Sequence, residues 1–227
     1  MLFAPFFATI ILATGSLAIN DLADPSKCKT SVLSQCLATF DRALNITILY
    51  PWNDASAFRD IVESYYEIQS TSGLRKVCKA FRELRGCMGT NYTSCINPAY
   101  FAVYADVGLS NAYNFVKVFN QLHFVCGGGF PSYINNDQCM TQTWSANRRH
   151  LRDCRFKFEL QSINNPEDAC YYGGEMIQCY EAYFNAGCNY QRADAAWWAC
   201  EYARGDIFTR FPHCSISCSY ANLAIGS

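Results

Sequence analysis

Residues 170–188 read CYYGGEMIQCYEAYFNAGC, and this stretch decides the class of fold. Its three cysteines are separated by eight residues each, and Met176, Cys179 and Tyr183 recur at intervals of three and four. Residues at those intervals lie on one face of an α-helix. The pattern stops at Gly187, a residue type that commonly ends helices. We therefore predict a helix whose cysteines bond to neighbouring helices.

Helical spacing also recurs in the rest of the chain, and strand-like alternation is rare. The aromatic pairs Trp197–Trp198 and Tyr171–Tyr172 are expected to fill the core. The predicted fold class is therefore all-α, a compact disulfide-stapled helical domain. The predicted helices cover residues 54–69 with Asp54 as N-cap, 74–85 stopped by Gly86, 110–126 capped by Ser110, 165–187 with Pro166 in the first turn, and 193–204.

The N-terminus has the pattern of a secretory leader. An apolar run from Leu2 to Ala13 is followed by Ser16 and Ala18, small residues at the −3 and −1 positions of a cleavage site. The run is too short to cross a bilayer, which takes about 20 apolar residues. We predict a signal peptide at residues 1–18, a single cysteine-rich domain at 19–227, extracellular localisation, and no membrane span after cleavage.

The number of cysteines is consistent with an extracellular protein. Fourteen cysteines in a secreted chain predict up to seven disulfides, whose connectivity the sequence leaves open. No Cys-x-x-Cys occurs and the three histidines are not paired at ligand spacing, so we predict neither a metal nor another cofactor. The spacing of Cys78, Cys87 and Cys95 is similar to that in residues 170–188, which predicts an analogous helix–turn–helix staple. The cysteines are Cys28, Cys36, Cys78, Cys87, Cys95, Cys126, Cys139, Cys154, Cys170, Cys179, Cys188, Cys200, Cys214 and Cys218.

Two further patterns suit an extracellular protein. The sequons at Asn45 and Asn91 are candidate N-glycosylation sites. Net charge is only −1, which argues against nucleic acid as a partner. Two basic stripes at helical spacing are nevertheless candidate binding sites for sulfated glycans or anionic head groups. The candidate anion-binding residues are Arg75, Lys79 and Arg82 in the first stripe, with Lys76 and Arg85 nearby, and Arg148, Arg149, Arg152 and Arg155 in the second.

Catalytic patterns are weak. Residues 123–129, HFVCGGG, are similar to the calcium loop of secreted phospholipases A2, but the adjacent His-Asp pair of that family is missing: His150 and Asp153 are three residues apart. No G-x-S-x-G elbow occurs. We predict a non-enzymatic interaction or structural module that binds an extracellular protein, glycan or lipid. The alternatives are a secreted hydrolase with an unrecognised active site and a small-lipid carrier, which needs an enclosed apolar cavity of several hundred Å3.

The chain also resembles the secreted cysteine-rich domains of nematodes, including the chondroitin-proteoglycan-4-like domain and a related nematode domain of unknown function. Three segments carry the resemblance: residues 77–81 (VCKAF) with Cys87 and Cys95, residues 119–127 (FNQLHFVCG), and residues 212–218 (PHCSISC). It implies an extracellular, non-enzymatic module. Proteoglycan members carry glycan on Ser-Gly sites in acidic surroundings, and the one such site inside the mature chain, Ser72-Gly73, is followed by basic residues instead.

Overall fold

A computed structural model describes residues 23–68, 71–190 and 192–218. Ten α-helices are found in these ranges and no β-strand, so the all-α prediction is confirmed there. The predicted signal peptide lies outside the described residues. The helices are α1 Thr30–Ala43, α2 Ala55–Ser64, α3 Ser72–Met88, α4 Tyr92–Cys95, α5 Pro98–Tyr104, α6 Leu109–Val125, α7 Gly129–Asn135, α8 Asp137–Asn164, α9 Ala169–Gly187 and α10 Ala193–Arg210.

Several helix ends differ from the predicted ones. Asp54 is the N-cap of α2, as predicted, and its carboxylate accepts a hydrogen bond from the Ala57 amide at 3.0 Å. Gly86 does not stop α3; the helix continues to Met88, and Gly89 follows with φ of +52°, a conformation that glycine adopts without strain. Ser110 lies inside α6, whose N-cap is Gly108.

All 14 cysteines form disulfides, and the two cysteine triplets bond in the same order. In each triplet the last two cysteines bond to an earlier helix or to the residues just before it, at α1 in the first triplet and at α8 in the second, and the first cysteine bonds to a cysteine just after a later helix, α6 or α10. The analogous staple predicted from spacing is therefore present in both halves, and Cys200–Cys218 is the additional bridge. The pairs are Cys28–Cys95, Cys36–Cys87, Cys78–Cys126, Cys139–Cys188, Cys154–Cys179, Cys170–Cys214 and Cys200–Cys218.

Buried aromatic rings fill the space between the helices. Phe58 on α2 lies 5.0 Å from Phe115 on α6, measured between ring centroids. Trp198 on α10 stacks on Tyr202 at 5.1 Å and is fully buried, so its predicted core role is confirmed. Tyr171 is 66% exposed, so the same prediction is wrong for that residue. None of the described helices is both long and apolar enough to cross a membrane.

Candidate functional site

An open groove of about 940 Å3 runs along α3 in the described part of the chain. One wall is the basic stripe of α3, and the opposite side is formed by the end of α6 and the start of α7. The Cys78–Cys126 disulfide joins α3 to the end of α6 across the floor and fixes the position of both sides. The lining residues are Arg75, Cys78, Lys79, Phe81, Arg82, Arg85, Gly86, Gly89, Tyr92, Thr93, His123, Cys126, Gly127 and Phe130.

Four cationic side chains line this groove, and none of its described lining residues is an aspartate or glutamate. The three predicted anion-binding residues of the first stripe, Arg75, Lys79 and Arg82, are among them, together with Arg85. We call these four the groove cations. The nearest carboxylate contact is a long one, 3.9 Å from Lys79 Nζ to Glu83, between two well-exposed side chains. Such a pair contributes little, so the groove keeps a positive potential.

Aromatic rings hold a guanidinium at each end of the groove. The Arg75 guanidinium lies 5.8 Å from the centroid of the Phe130 ring, and its Nε donates a hydrogen bond to Thr71. The Arg85 guanidinium lies 5.6 Å from the Tyr92 ring. Cation–π contacts of this kind restrict arginine rotamers. Binding of a ligand to two guanidiniums that are already positioned costs less side-chain entropy of the protein than binding to freely moving cations.

The floor is an aromatic cluster that contains His123. The rings of Phe81 and Tyr92 both meet the imidazole edge-on, with centroids 5.0 and 5.4 Å away. Burial, with a smaller contribution from Arg85, lowers the pKa of His123, so the imidazole is neutral at physiological pH. The buried Tyr92 hydroxyl has no hydrogen-bond partner among the described residues, and burial raises its pKa, so it stays a donor.

Two glycines keep the groove mouth open. A Cβ atom built at Gly86 or Gly89 meets nothing within 4 Å. Gly86 is one helical turn beyond Arg82 on the same face of α3, where a longer side chain would enter the groove. The position is therefore suited to a blocking substitution.

The second basic stripe differs from the first because most of its arginines pair with acidic residues, and anion binding by this stripe stays a prediction. Arg155 is buried and lies 2.9 Å from Glu63 of α2. Arg152 pairs with Asp60 at 3.3 Å, and Arg148 pairs with Glu67 in the turn after α2. The three acidic residues recur at intervals of three and four, which matches the spacing of the arginines. Arg149 is the one member that is exposed without an ion pair in the described residues.

A second group of charges lies fully inside the protein. Asp206 of α10 is 2.5 Å from Arg59 of α2 and 2.8 Å from Lys117 of α6, and all three side chains are at most 3% exposed. Burial alone would raise the pKa of Asp206, but Lys117 and Arg59 lower it well below its ordinary value. We call these three residues the buried triad. No local sequence pattern predicts this triad, because its members are 58 and 89 positions apart in the chain.

The other two histidines lie away from the groove. His150 stacks on Tyr183 with ring centroids 5.4 Å apart. His213 lies beside the bonded sulfurs of Cys170 and Cys214, which are not available as thiolates. In the described residues no histidine is therefore placed in the groove together with a carboxylate, as the hydrolase alternative would need. The groove is open and cationic, whereas a lipid carrier needs an enclosed apolar cavity.

The two sequons lie in different settings. Asn45 is an exposed turn residue with φ of +53°. Asn91 is half-buried, and its side-chain amide donates a hydrogen bond to the Met88 carbonyl. The two residues that follow it, Tyr92 and Thr93, both line the groove, so a glycan on Asn91 would stand at the groove mouth.

Comparison with known protein families, with curated proteins and with solved structures found no match for this chain. The resemblance to nematode cysteine-rich domains stays a prediction.

Proposed function

We propose that this chain is a secreted, non-enzymatic module that binds an anionic extracellular ligand in the groove along α3. The observation that carries the proposal is the set of four groove cations in a concave site with no acidic residue in its described lining. A solvated helix face normally mixes both signs of charge. Extracellular localisation is supported by the predicted leader and by the disulfides, which form and persist in oxidising compartments.

Two variants test the groove. Each removes four positive charges, so a difference between them reports position and not net charge. The groove variant replaces with alanine Arg75, Lys79, Arg82 and Arg85. The control variant replaces with alanine four exposed cations outside the groove, Lys27, Lys29, Arg42 and Lys157.

The assay is binding to three anionic probes: heparin, phosphatidylserine vesicles and inorganic sulfate. We expect wild type and the control variant to bind at least one probe at physiological salt. We expect the groove variant to bind it about 10- to 100-fold more weakly, which corresponds to about 0.3–0.7 kcal/mol for each of four exposed ion pairs, inside their usual range of about 0.2–1 kcal/mol. If the two variants lose affinity equally, or if wild type binds none of the probes, the proposal is wrong.

A substitution that leaves all four cations in place provides an independent check. Gly86→Glu places a carboxylate in the groove mouth, at a position where an added Cβ atom meets no neighbour within 4 Å. Gly174→Glu on α9 is the matched control, because Cβ also meets nothing there and the site is outside the groove. Only Gly86→Glu is expected to weaken binding. Thermal unfolding of both variants verifies that they fold.

A further inference from the structure

The groove cations form a line along the helix. Arg75, Lys79 and Arg82 are spaced by four and three residues, so their side chains follow one face at separations of about 5–6 Å. Arg85 extends the set, and the distance from the first to the last cation is about 15 Å at 1.5 Å per residue. One phosphate or sulfate group contacts only part of such a row. A chain with repeated anionic groups contacts all of it.

The surroundings of the groove do not suit a membrane. Proteins that lie on a bilayer place exposed apolar side chains beside their cations and bury them at the head-group boundary. The exposed large apolar residues of the described chain are elsewhere, and none of them lines the groove. A flat bilayer surface also cannot enter a concave site.

The groove offers ring surfaces in addition to charge. The Phe130 ring forms part of the wall beneath Arg75, and the rings of Phe81, Tyr92 and His123 belong to the floor. Sugar rings pack on aromatic side chains, whereas a simple inorganic polyanion uses only the charges.

From these three features we infer that the ligand of the groove is an extended sulfated glycan chain, which lies along α3 and contacts the four cations in sequence. The inference rests on the proposed function, because it names the ligand class of the same site. It predicts that affinity increases with chain length until the chain spans about 15 Å, and that binding weakens with salt as counterions are released from the polyanion.

The test measures binding of size-defined heparin fragments by calorimetry, with phosphatidylserine vesicles as the second arm. We expect affinity to increase from disaccharide to longer fragments and then level off. We also expect the groove variant to lose about 10- to 100-fold in affinity for the longest fragment, with a shallower dependence on salt, while the control variant behaves like wild type.

The possible outcomes separate the two proposals. If the vesicles bind through the groove cations and the fragments do not bind, the glycan inference is wrong and the anion-binding proposal stands. If affinity does not depend on fragment length, the extended-chain inference is wrong. If neither of these probes nor inorganic sulfate binds, or if the groove variant binds as tightly as wild type, both proposals are wrong.

Discussion

Asp206→Asn is expected to destabilise the protein more than other single carboxylate-to-amide changes on this chain. The Asp206 carboxylate lies between Arg59 and Lys117, and all three side chains are at most 3% exposed. The amide has nearly the same shape but no charge, so Arg59 loses its ion-pair partner and Lys117 keeps only its 3.4 Å contact with the partly exposed Glu159. Removing one partner of a buried ion pair typically costs about 3–5 kcal/mol.

That cost translates into a measurable shift of the unfolding temperature. For a domain of about 150–250 residues, 1 kcal/mol corresponds to about 2–4 °C, so Tm is expected to fall by about 6–20 °C. The assay is differential scanning calorimetry without reductant, which keeps the disulfides intact. Glu175→Gln is the control, since it breaks an exposed pair with Lys157, and its effect is expected to stay within about 1 kcal/mol.

A third variant separates charge from packing. Replacing the buried triad together, as Arg59→Met, Lys117→Met and Asp206→Leu, removes all three charges from the interior. Apolar replacement of a buried ionic group is often neutral or stabilising, so we expect this variant to recover most of the stability that Asp206→Asn loses. A Tm for Asp206→Asn that matches the Glu175→Gln control would refute the reasoning.

Three further predictions concern single positions. Burial raises the pKa of Asp41 to about 7, which is above its value in the unfolded chain. The protonated carboxyl therefore contributes fully to the free energy of unfolding below about pH 4. That contribution is lost as the pH rises toward 7. Asp41→Asn should therefore stabilise the protein at pH 8 by on the order of 2 kcal/mol but not at pH 4, and equal unfolding free energies of the variant and wild type at pH 8 would contradict this. Gly86→Ala should raise the free energy of unfolding by about 0.5–1 kcal/mol, since the site is inside α3 and alanine restricts the unfolded chain; chemical denaturation measures this, and a decrease would show that the helix needs glycine there. Asn91→Gln, expressed in a glycosylating host, should bind heparin several-fold more tightly than the glycosylated wild type, because it lacks a glycan at the groove mouth; affinity that does not differ would argue against that placement.

The basic stripe of α3 shows which features of the site helical periodicity can predict. Spacing alone placed Arg75, Lys79 and Arg82 on one helix face, and the structure has them on one side of the groove. The opposite side comes from His123 and Phe130, which are about 40 residues or more away in the chain. No local pattern reports a contact at that separation, so the sequence predicted the cations but not the cavity.

The basic stripe of α8 shows that helical spacing alone does not tell whether a row of arginines is unpaired. The spacing of Arg148, Arg152 and Arg155 is as regular as that of the first stripe, yet these arginines pack on the acidic residues of α2 and the turn after it. A complementary signal was present, because Asp60 and Glu63 belong to a stripe of acids at matching intervals. The ion pairs between the two stripes can be predicted only when α2 and α8 are known to be neighbours.

Sequence signals for helix ends predicted one end of a helix correctly and another wrongly, for a related reason. Asp54 caps α2 because its own carboxylate reaches the helix amides, an interaction that depends on four consecutive residues. Gly86 was expected to end α3, but Cys87 bonds to Cys36 of α1 and the helix continues for three more residues, to Met88. Tertiary constraints outweigh the modest helix penalty of one glycine.

The most direct test of the central claim, that an anionic ligand occupies the groove along α3, is lysine footprinting. Lys79 in the groove, Lys27 and Lys157 all have well-exposed side chains and react with an acetylating reagent when the protein is free. With saturating heparin, mass spectrometry should show acetylation of Lys79 slowed several-fold while Lys27 and Lys157 react at their original rates. Equal protection of all three lysines, or no protection of Lys79, would contradict the claim.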